Sequence, residues 1–302
     1  MRSPQTSDPL VSADYAALAD AGWPALERRT IGAEGRSGGW IARYAHGVTQ
    51  RANSVYAAGR VAHEREAIAA VEHWYAEHGL PSMFQLADDD EELLSVLLAG
   101  GYVARSETLV LAAEASTVTA ALATADDREV RDNAAIVPTS DEPDDEWLDL
   151  WWGVDGRGGE SERAWAREIL VGGRALYATV RDAQGAASVG RLALVDHDGA
   201  RWGGLYALAT RADARGRGHA RAVIASLLAH AVEHGVSALW LQVTATNDAA
   251  RRLYDGLGFR QVAGYRYLLR ETGAPSTRFA RSGGGDETGR SGGGDESDRS
   301  GR

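Results

Sequence analysis

The residues that first suggest chemistry are Arg215-Gly216-Arg217-Gly218-His219-Ala220, where small residues stand between a strand pattern and a helical one. The first backbone N–H groups of a helix have no intrahelical partner, and they point outward with the positive end of the helix dipole. A nest of that kind suits an anion, and a pyrophosphate engages several of its donors at once. Gly216 and Gly218 alone are equally explained as a tight connection. A dinucleotide site needs Gly-x-Gly-x-x-Gly and an acidic residue closing the next strand. Here the third glycine is missing, and the next strand reads Leu239-Trp240-Leu241-Gln242-Val243. A nucleoside-triphosphate loop needs Lys, and all 32 basic residues are Arg.

A second run, Asn247-Asp248-Ala249-Ala250-Arg251-Arg252-Leu253-Tyr254-Asp255-Gly256-Leu257-Gly258-Phe259, follows the intervening strand. With it the chain resembles the GNAT superfamily of acyl-coenzyme A N-acyltransferases. Arg215, Gly218 and Ala220 match that superfamily's Arg/Gln-x-x-Gly-x-Gly/Ala signature. Asn247, Ala249-Ala250, Leu253-Tyr254 and Gly258-Phe259 match its second element. The resemblance implies that the strand Leu205 to Thr210 splays from Leu239 to Val243 and opens a wedge for the pantetheine arm. It further implies that backbone groups of Leu208, Ala209 and Thr210 bond the arm, and that Arg215 to Ala220, with Arg221, hold the pyrophosphate. Asn247 would align the arm, and Tyr254 would stand near the thioester sulfur.

An amine attacks a thioester directly when it is neutral, when the developing oxyanion meets a donor and when the departing thiolate receives a proton. Tyr254, with an ordinary pKa near ~10, is the expected general acid; the plainer reading makes it an aromatic plug between helix and sheet. The expected reaction is transfer of an acetyl group from acetyl-CoA to a primary amine. The alternatives are another short acyl-CoA, or a non-catalytic acyl-CoA-binding or regulatory protein. For the base, Tyr206 is the ionisable side chain on the strand before the turn. His197 lies in Asp196-His197-Asp198-Gly199, a pattern that also reads as a hairpin turn, and a water relay is the third choice. His230 and His234 have the i,i+4 spacing of a metal pair but lack further ligands, and no metal is expected. Arg51, Asn53, Tyr265, Tyr267, Trp151 and Trp152 are candidates for the acceptor side.

The elements that must position these residues follow from hydrophobic period. Strands are expected at 26–31 and 39–44, joined through Gly35-Arg36-Ser37-Gly38, then a helix at 64–78, a strand at 81–87, a helix at 91–98 and a strand at 102–113. A second series has a helix at 161–171, strands at 175–181, 188–196 and 204–210, a helix at 218–234, a strand at 238–243, a helix at 247–257 and a strand at 259–269. The fold class expected is α/β (α+β), a GNAT-like mixed sheet flanked by helices. Its domains would be a degenerate GNAT-like domain at 15–125, a Pro- and acid-rich linker at 126–146 and a catalytic acyl-CoA-binding domain at 147–271. The first half resembles the degenerate domain of tandem-GNAT proteins, since no Arg/Gln-x-x-Gly-x-Gly/Ala sequence occurs between Ala58 and Glu72. Residues 272–302 carry a near-repeat of RSGGGDETG and almost nothing apolar, so a disordered tail is expected there.

Composition narrows the partners. The chain has 302 residues, 44% of them hydrophobic, enough for more than one core. It has no Cys, which removes thiolate nucleophiles and disulfides. The net charge of -11 argues against a nucleic-acid partner. No stretch is long and apolar enough for a membrane span or signal peptide, so a cytoplasmic protein is expected, acting on a small-molecule or peptide amine.

Overall fold

The computed structural model describes residues 9–33, 38–57, 59–124 and 136–270. Most of the expected turn at 35–38, the first part of the expected linker at 126–146 and the expected tail at 272–302 lie outside the described residues. The first half comprises α1 (Pro9–Ser12), α2 (Tyr15–Gly22), β1 (Glu27–Ile31), β2 (Trp40–Tyr44), β3 (Val55–Tyr56), α3 (Glu64–Glu77), β4 (Ser82–Ala87), α4 (Glu91–Ala99), β5 (Val103–Glu114) and α5 (Ala115–Thr124). The second comprises β6 (Thr139–Ser140), α6 (Asp145–Asp155), α7 (Glu160–Val171), β7 (Ala175–Asp182), β8 (Gly185–His197), β9 (Ala200–Thr210), α8 (His219–Glu233), β10 (Val236–Thr244), α9 (Asp248–Asp255) and β11 (Arg260–Arg270).

One succession occurs twice: three antiparallel strands, a helix, a parallel strand, a helix and a last strand. It runs β1-β2-β3-α3-β4-α4-β5 and again β7-β8-β9-α8-β10-α9-β11. The parallel pairs β3–β4 and β9–β10 are those that a helical crossover permits. The chain is thus a tandem arrangement of two GNAT-like units with a mixed sheet, as the resemblance implied. The two series share one sheet, in the order β1-β2-β3-β4-β11-β5-β10-β9-β8-β7-β6. Strand β11 lies between β4 and β5, and β5 lies between β11 and β10, so each series takes a strand from the other.

The sheet buries both faces. On one, α8 lays Val223, Ile224, Leu227, Leu228 and Ala231 against β7 to β10. Burying each Leu or Ile side chain contributes about 1.5–3 kcal/mol. Gly190 permits that approach, because a Cβ there would sit 2.7 Å from Val223 Cγ1. The other face packs α2, α6 and α7 over an aromatic-rich core that includes Trp23, Trp147, Trp151, Trp202, Tyr206 and Trp240.

Three differences from the sequence reading have local causes. Asp144 to Glu146 read as linker, yet Asp144 Oδ1 accepts from Trp147 N at 2.7 Å and caps α6, with Asp145 and Glu146 favourably placed in its first turn. Helix α2 escaped notice because its small residues carry a weak pattern; Asp14 caps it by accepting from Ala16 N and Ala17 N. Arg51 and Asn53, which no expected element covered, lie in the turn that joins β2 to β3.

Candidate functional site

The parallel ladder between β9 and β10 stops at Leu205↔Leu241, although the strands continue to Thr210 and Thr244. The cause is a bulge. Ala207 has φ +50°, and the β8–β9 register shifts between Val189↔Ala209 and Arg191↔Tyr206. Past the bulge β9 stays with β8: the Ser188 hydroxyl is 3.0 Å from Ala209 O and 2.9 Å from Thr210 Oγ1. Leu208, Ala209 and Thr210 therefore present the edge facing β10 without a strand partner.

The expected cradle starts at the same end of β9. Arg211 braces it, with Nη2 2.7 Å from Asp182 Oδ2, Nε 2.7 Å from Asp213 Oδ1 and Nη1 donating to Ala186 O at 2.8 Å. The Arg211 hydrogen bond holds the Asp213 carboxyl below its ordinary pKa. This clamp had no separate signal in the sequence. Gly216 and Gly218 have φ +76° and +78°, a region that favours glycine, and Gly218 is the N-cap of α8. The first helical bond is Ala222 N to Gly218 O, so the amides of Gly218, His219, Ala220 and Arg221 have no partner within the helix. Arg215 and Arg217 are exposed beside them, and Arg215 Nε lies 3.4 Å from Thr210 O. A groove of about 400 Å³ runs from there along α6, between Arg211, Ala212 and Arg215 and Asp149, Gly153 and Val154. His219 is buried, with Nδ1 sealed from solvent and unpaired.

Asn247 is the N-cap of α9, with Oδ1 accepting from Ala250 N at 3.1 Å. Tyr254 is in the last turn of that helix and is held by Leu257 N and Phe259 N donating to its carbonyl. Its ring meets Phe259 edge-on at 5.8 Å and is 8% exposed, so the packing role is fulfilled. Its hydroxyl has no hydrogen-bond partner among the described residues. Burial, and then the Asp155 carboxylate, raise its pKa well above the ordinary tyrosine range, so it is a neutral phenol at pH 7. Asp155 closes α6. Although the residue is exposed, its carboxyl is crowded: desolvation raises its pKa against the pull of Arg157 and Arg215. The sequence reading did not single out Asp155, because it is far in sequence from both motifs.

The candidate bases fare differently. His197 pairs with Ala200 at the β8–β9 hairpin, where Asp198 and Gly199 have positive φ. It is nine residues along β8 from Ser188, about 30 Å at ~3.4 Å per residue, which removes it from the site. Tyr206 is buried on the face away from α8; burial raises its pKa, and its hydroxyl donates weakly to Ala19 O at 3.4 Å. His230 and His234 spend Nδ1 on the carbonyls of Ser226 and His230, and no metal-ligating cluster occurs among the described residues.

Around Tyr206 the acceptor-side candidates converge. The Arg51 guanidinium carbon lies 5.4 Å from the Tyr206 ring and 5.8 Å from that of Trp23. Tyr265 and Tyr267 share that face, with hydroxyls 3.4 Å apart, and Trp151 lies 6.2 Å from Trp23. Trp152 extends the aromatic series, 5.9 Å from Trp151. Asn53 is different: fully buried, it accepts from Ala45 N and Gly47 N and donates to Ala45 O and Thr49 O. Its amide shapes the turn that presents Arg51 and has nothing left for a ligand.

Comparison with known proteins bears on the family and the fold. The family described as "Probable histone acetyltransferase Rv0428c C-terminal" matches residues 13–268. An uncharacterized N-acetyltransferase, YobR of Bacillus subtilis, is 25% identical over 255 residues, covering 84% of this chain and 96% of its own. The fold is similar to a GCN5-related N-acetyltransferase from Kribbella flavida, with TM-score 0.57 and 15% identity over 87% of this chain and 97% of that one. It is also similar to a tandem GNAT protein from the clavulanic acid biosynthesis pathway, with TM-score 0.53 and 15% identity over 74% and 76% of the two chains. Among the described residues, no helix is long and apolar enough to cross a membrane.

Proposed function

The chain belongs to the GNAT superfamily, within the Rv0428c C-terminal acetyltransferase family, and from that membership we propose that it transfers an acetyl group from acetyl-CoA to a primary amine, with Tyr254 as general acid. That it is an acyl-transferring enzyme follows from the family; the donor, the acceptor and the residue roles are the proposal. The observation that carries it is the coincidence at one end of β9 of an opened ladder beyond Leu205↔Leu241 and a glycine-capped helix start at Gly218.

The residues present fit the donor. The unpartnered edge of Leu208, Ala209 and Thr210 offers backbone groups to the amides of a pantetheine arm. The helix-start amides from Gly218 to Arg221 offer convergent donors to a pyrophosphate, with Arg215 and Arg217 adding positive charge. Asn247 fixes the start of α9 and hence the position of Tyr254. As the amine nitrogen bonds to the acyl carbon and the carbon–sulfur bond breaks, Tyr254 gives its proton to the sulfur. Because burial and then Asp155 raise the phenol's pKa above that of a thiol, the transfer runs uphill and is completed when the phenolate takes a proton back from solvent. The amine loses its own proton to solvent on the acceptor side. The second half holds the donor, because the first has no counterpart of Arg215 to Ala220.

Release of free thiol from acetyl-CoA by the full chain, across a panel of primary amines, tests the reaction, with the product verified by mass. Calorimetry with CoA is expected to give one site per chain. Absence of both thiol release and CoA binding refutes the proposal.

A further inference from the structure

Two arginines next to the acceptor-side cluster lack what buried arginines normally have. Arg191 is fully buried on β8. Its Nε donates to Leu170 O and Tyr177 Oη and its Nη1 to Gly22 O, while Nη2 is sealed from solvent without a partner. Arg51 has its Nε sealed and unpaired too, yet keeps part of its surface accessible. Neither has an ion pair among the described residues. The groups acting on Arg51 are the phenols of Tyr265, to which its side chain is hydrogen-bonded, Tyr267 and Tyr206. Asp20, the carboxylate 3.5 Å from buried Arg43, is ion-paired with Arg28. A buried charge without a counter-charge is costly, and proteins retain such groups where a ligand completes them.

The position links this cation to the reaction. Tyr206 and Gln242 are the first residues past the last paired rung, Leu205↔Leu241, on the two strands that part. Leu205 and Leu241 face α8, whereas Tyr206 and Trp240 belong to the opposite core, and Gln242 follows Trp240 on that face by period two. The Gln242 Oε1 is itself sealed without a partner, a hydrogen-bond acceptor with no donor. A guanidinium over Tyr206 and an amide oxygen on Gln242 thus lie on one face of the sheet, at the mouth of the wedge and opposite the helix that cradles the donor.

We infer that Arg51 is the anchor for a carboxylate carried by the amine acceptor, with Gln242 receiving an N–H of its amine; the acceptor class is an amino acid or a similarly short amino carboxylate. This rests on the acetyltransferase reading. A planar monoanion suits the site: Arg51 packs against Trp23 and Tyr206, and the terminal N–H groups not spent on Tyr265 are left to meet a carboxylate.

The test uses the full chain and matched probes: L-amino acids and the corresponding L-amino acid amides, titrated with saturating CoA present so that no turnover occurs. Acids are expected to bind and to raise the melting temperature, and the matched amides to bind about 10- to 100-fold more weakly, the range for losing a charged hydrogen bond. Arg51→Gln is expected to abolish the preference for acids, and Arg51→Lys to retain part of it. The inference is overturned if amides bind as well as acids, if no acid binds, or if folded Arg51→Gln keeps the preference. Should Arg51→Gln fail to fold, the acid-to-amide comparison in the wild type and Arg51→Lys decides the matter. Thiol release from acetyl-CoA is read separately. Acids that bind without being acylated remove the enzymatic reading alone, and amines acylated without regard to a carboxylate remove this one alone.

Discussion

Replacing Tyr254 by Phe deletes one oxygen that no hydrogen bond holds, so no partner is left unsatisfied and the edge contact with Phe259 at 5.8 Å is kept. The stability cost is therefore expected below about 1 kcal/mol, the range for swaps that conserve shape. Activity responds differently. If the phenol protonates the leaving sulfur, its loss lowers kcat by the low end of the acid–base range, ~100-fold, since a thiolate leaves tolerably and water partly substitutes. Affinity for CoA is unchanged, because the hydroxyl touches none of the amides of the cradle. Tyr254→Ala separates the packing role: emptying a site that is 8% exposed costs about 3–5 kcal/mol and lowers Tm by roughly 10 °C. The assays are thiol release with a competent amine, calorimetry with CoA and thermal melting on each variant. A Tyr254→Phe enzyme that turns over at the wild-type rate refutes the acid role and leaves Tyr254 as packing alone.

Burial, and then the Asp155 carboxylate, raise the pKa of the Tyr254 phenol, so Asp155→Asn should bring that pKa down towards that of the leaving thiol and raise kcat; an unchanged kcat separates Asp155 from Tyr254. Gly218→Ala places a side chain at φ +78° and should weaken CoA binding about tenfold at a stability cost of about 1 kcal/mol, read by calorimetry and melting. Residues 136–270 expressed alone lack β5 between β10 and β11 and should be insoluble or molten, becoming soluble when co-expressed with residues 1–135; a cooperative melt from the fragment alone contradicts this. Truncation after residue 271 is expected to leave Tm and CoA binding unchanged, as measured on the shortened chain.

What was legible in the sequence was local. The strand, glycine turn and helix from Leu205 to Leu228 announce themselves through neighbours within a few residues; the helix forms within a residue of its expected bounds, and the strand ends at Thr210 as expected but begins four residues earlier, at Ala200. Helices α3, α4 and α7 follow from apolar spacing in the same way. What escaped depends on partners distant in the chain. Nothing in Val103 to Glu114 says that it pairs with Ala238 to Thr244, and no motif joins Trp23, Arg51, Arg191 and Tyr206 into one cluster. Asp155 acts on Tyr254 across a gap of nearly a hundred residues. The acidic run before Trp147 misled because carboxylates serve a linker and a helix start equally well, and the capping bond to Trp147 N tells them apart.

The exchange of β5 and β11 sets an order on the birth of the molecule at the ribosome. Ser82 on β4 finds its partner in Arg270, among the last described residues to be made. Until β11 emerges, β4 and β5 stand apart with open edges, and the first half waits incomplete while the whole of the second is synthesised. Pairings that span so much chain form slowly, because the loop must close before the contact repays it. A stall between Glu114 and Arg260 would therefore strand an intermediate with unpaired edges on both β4 and β5, and chaperone demand for this protein should peak in that window.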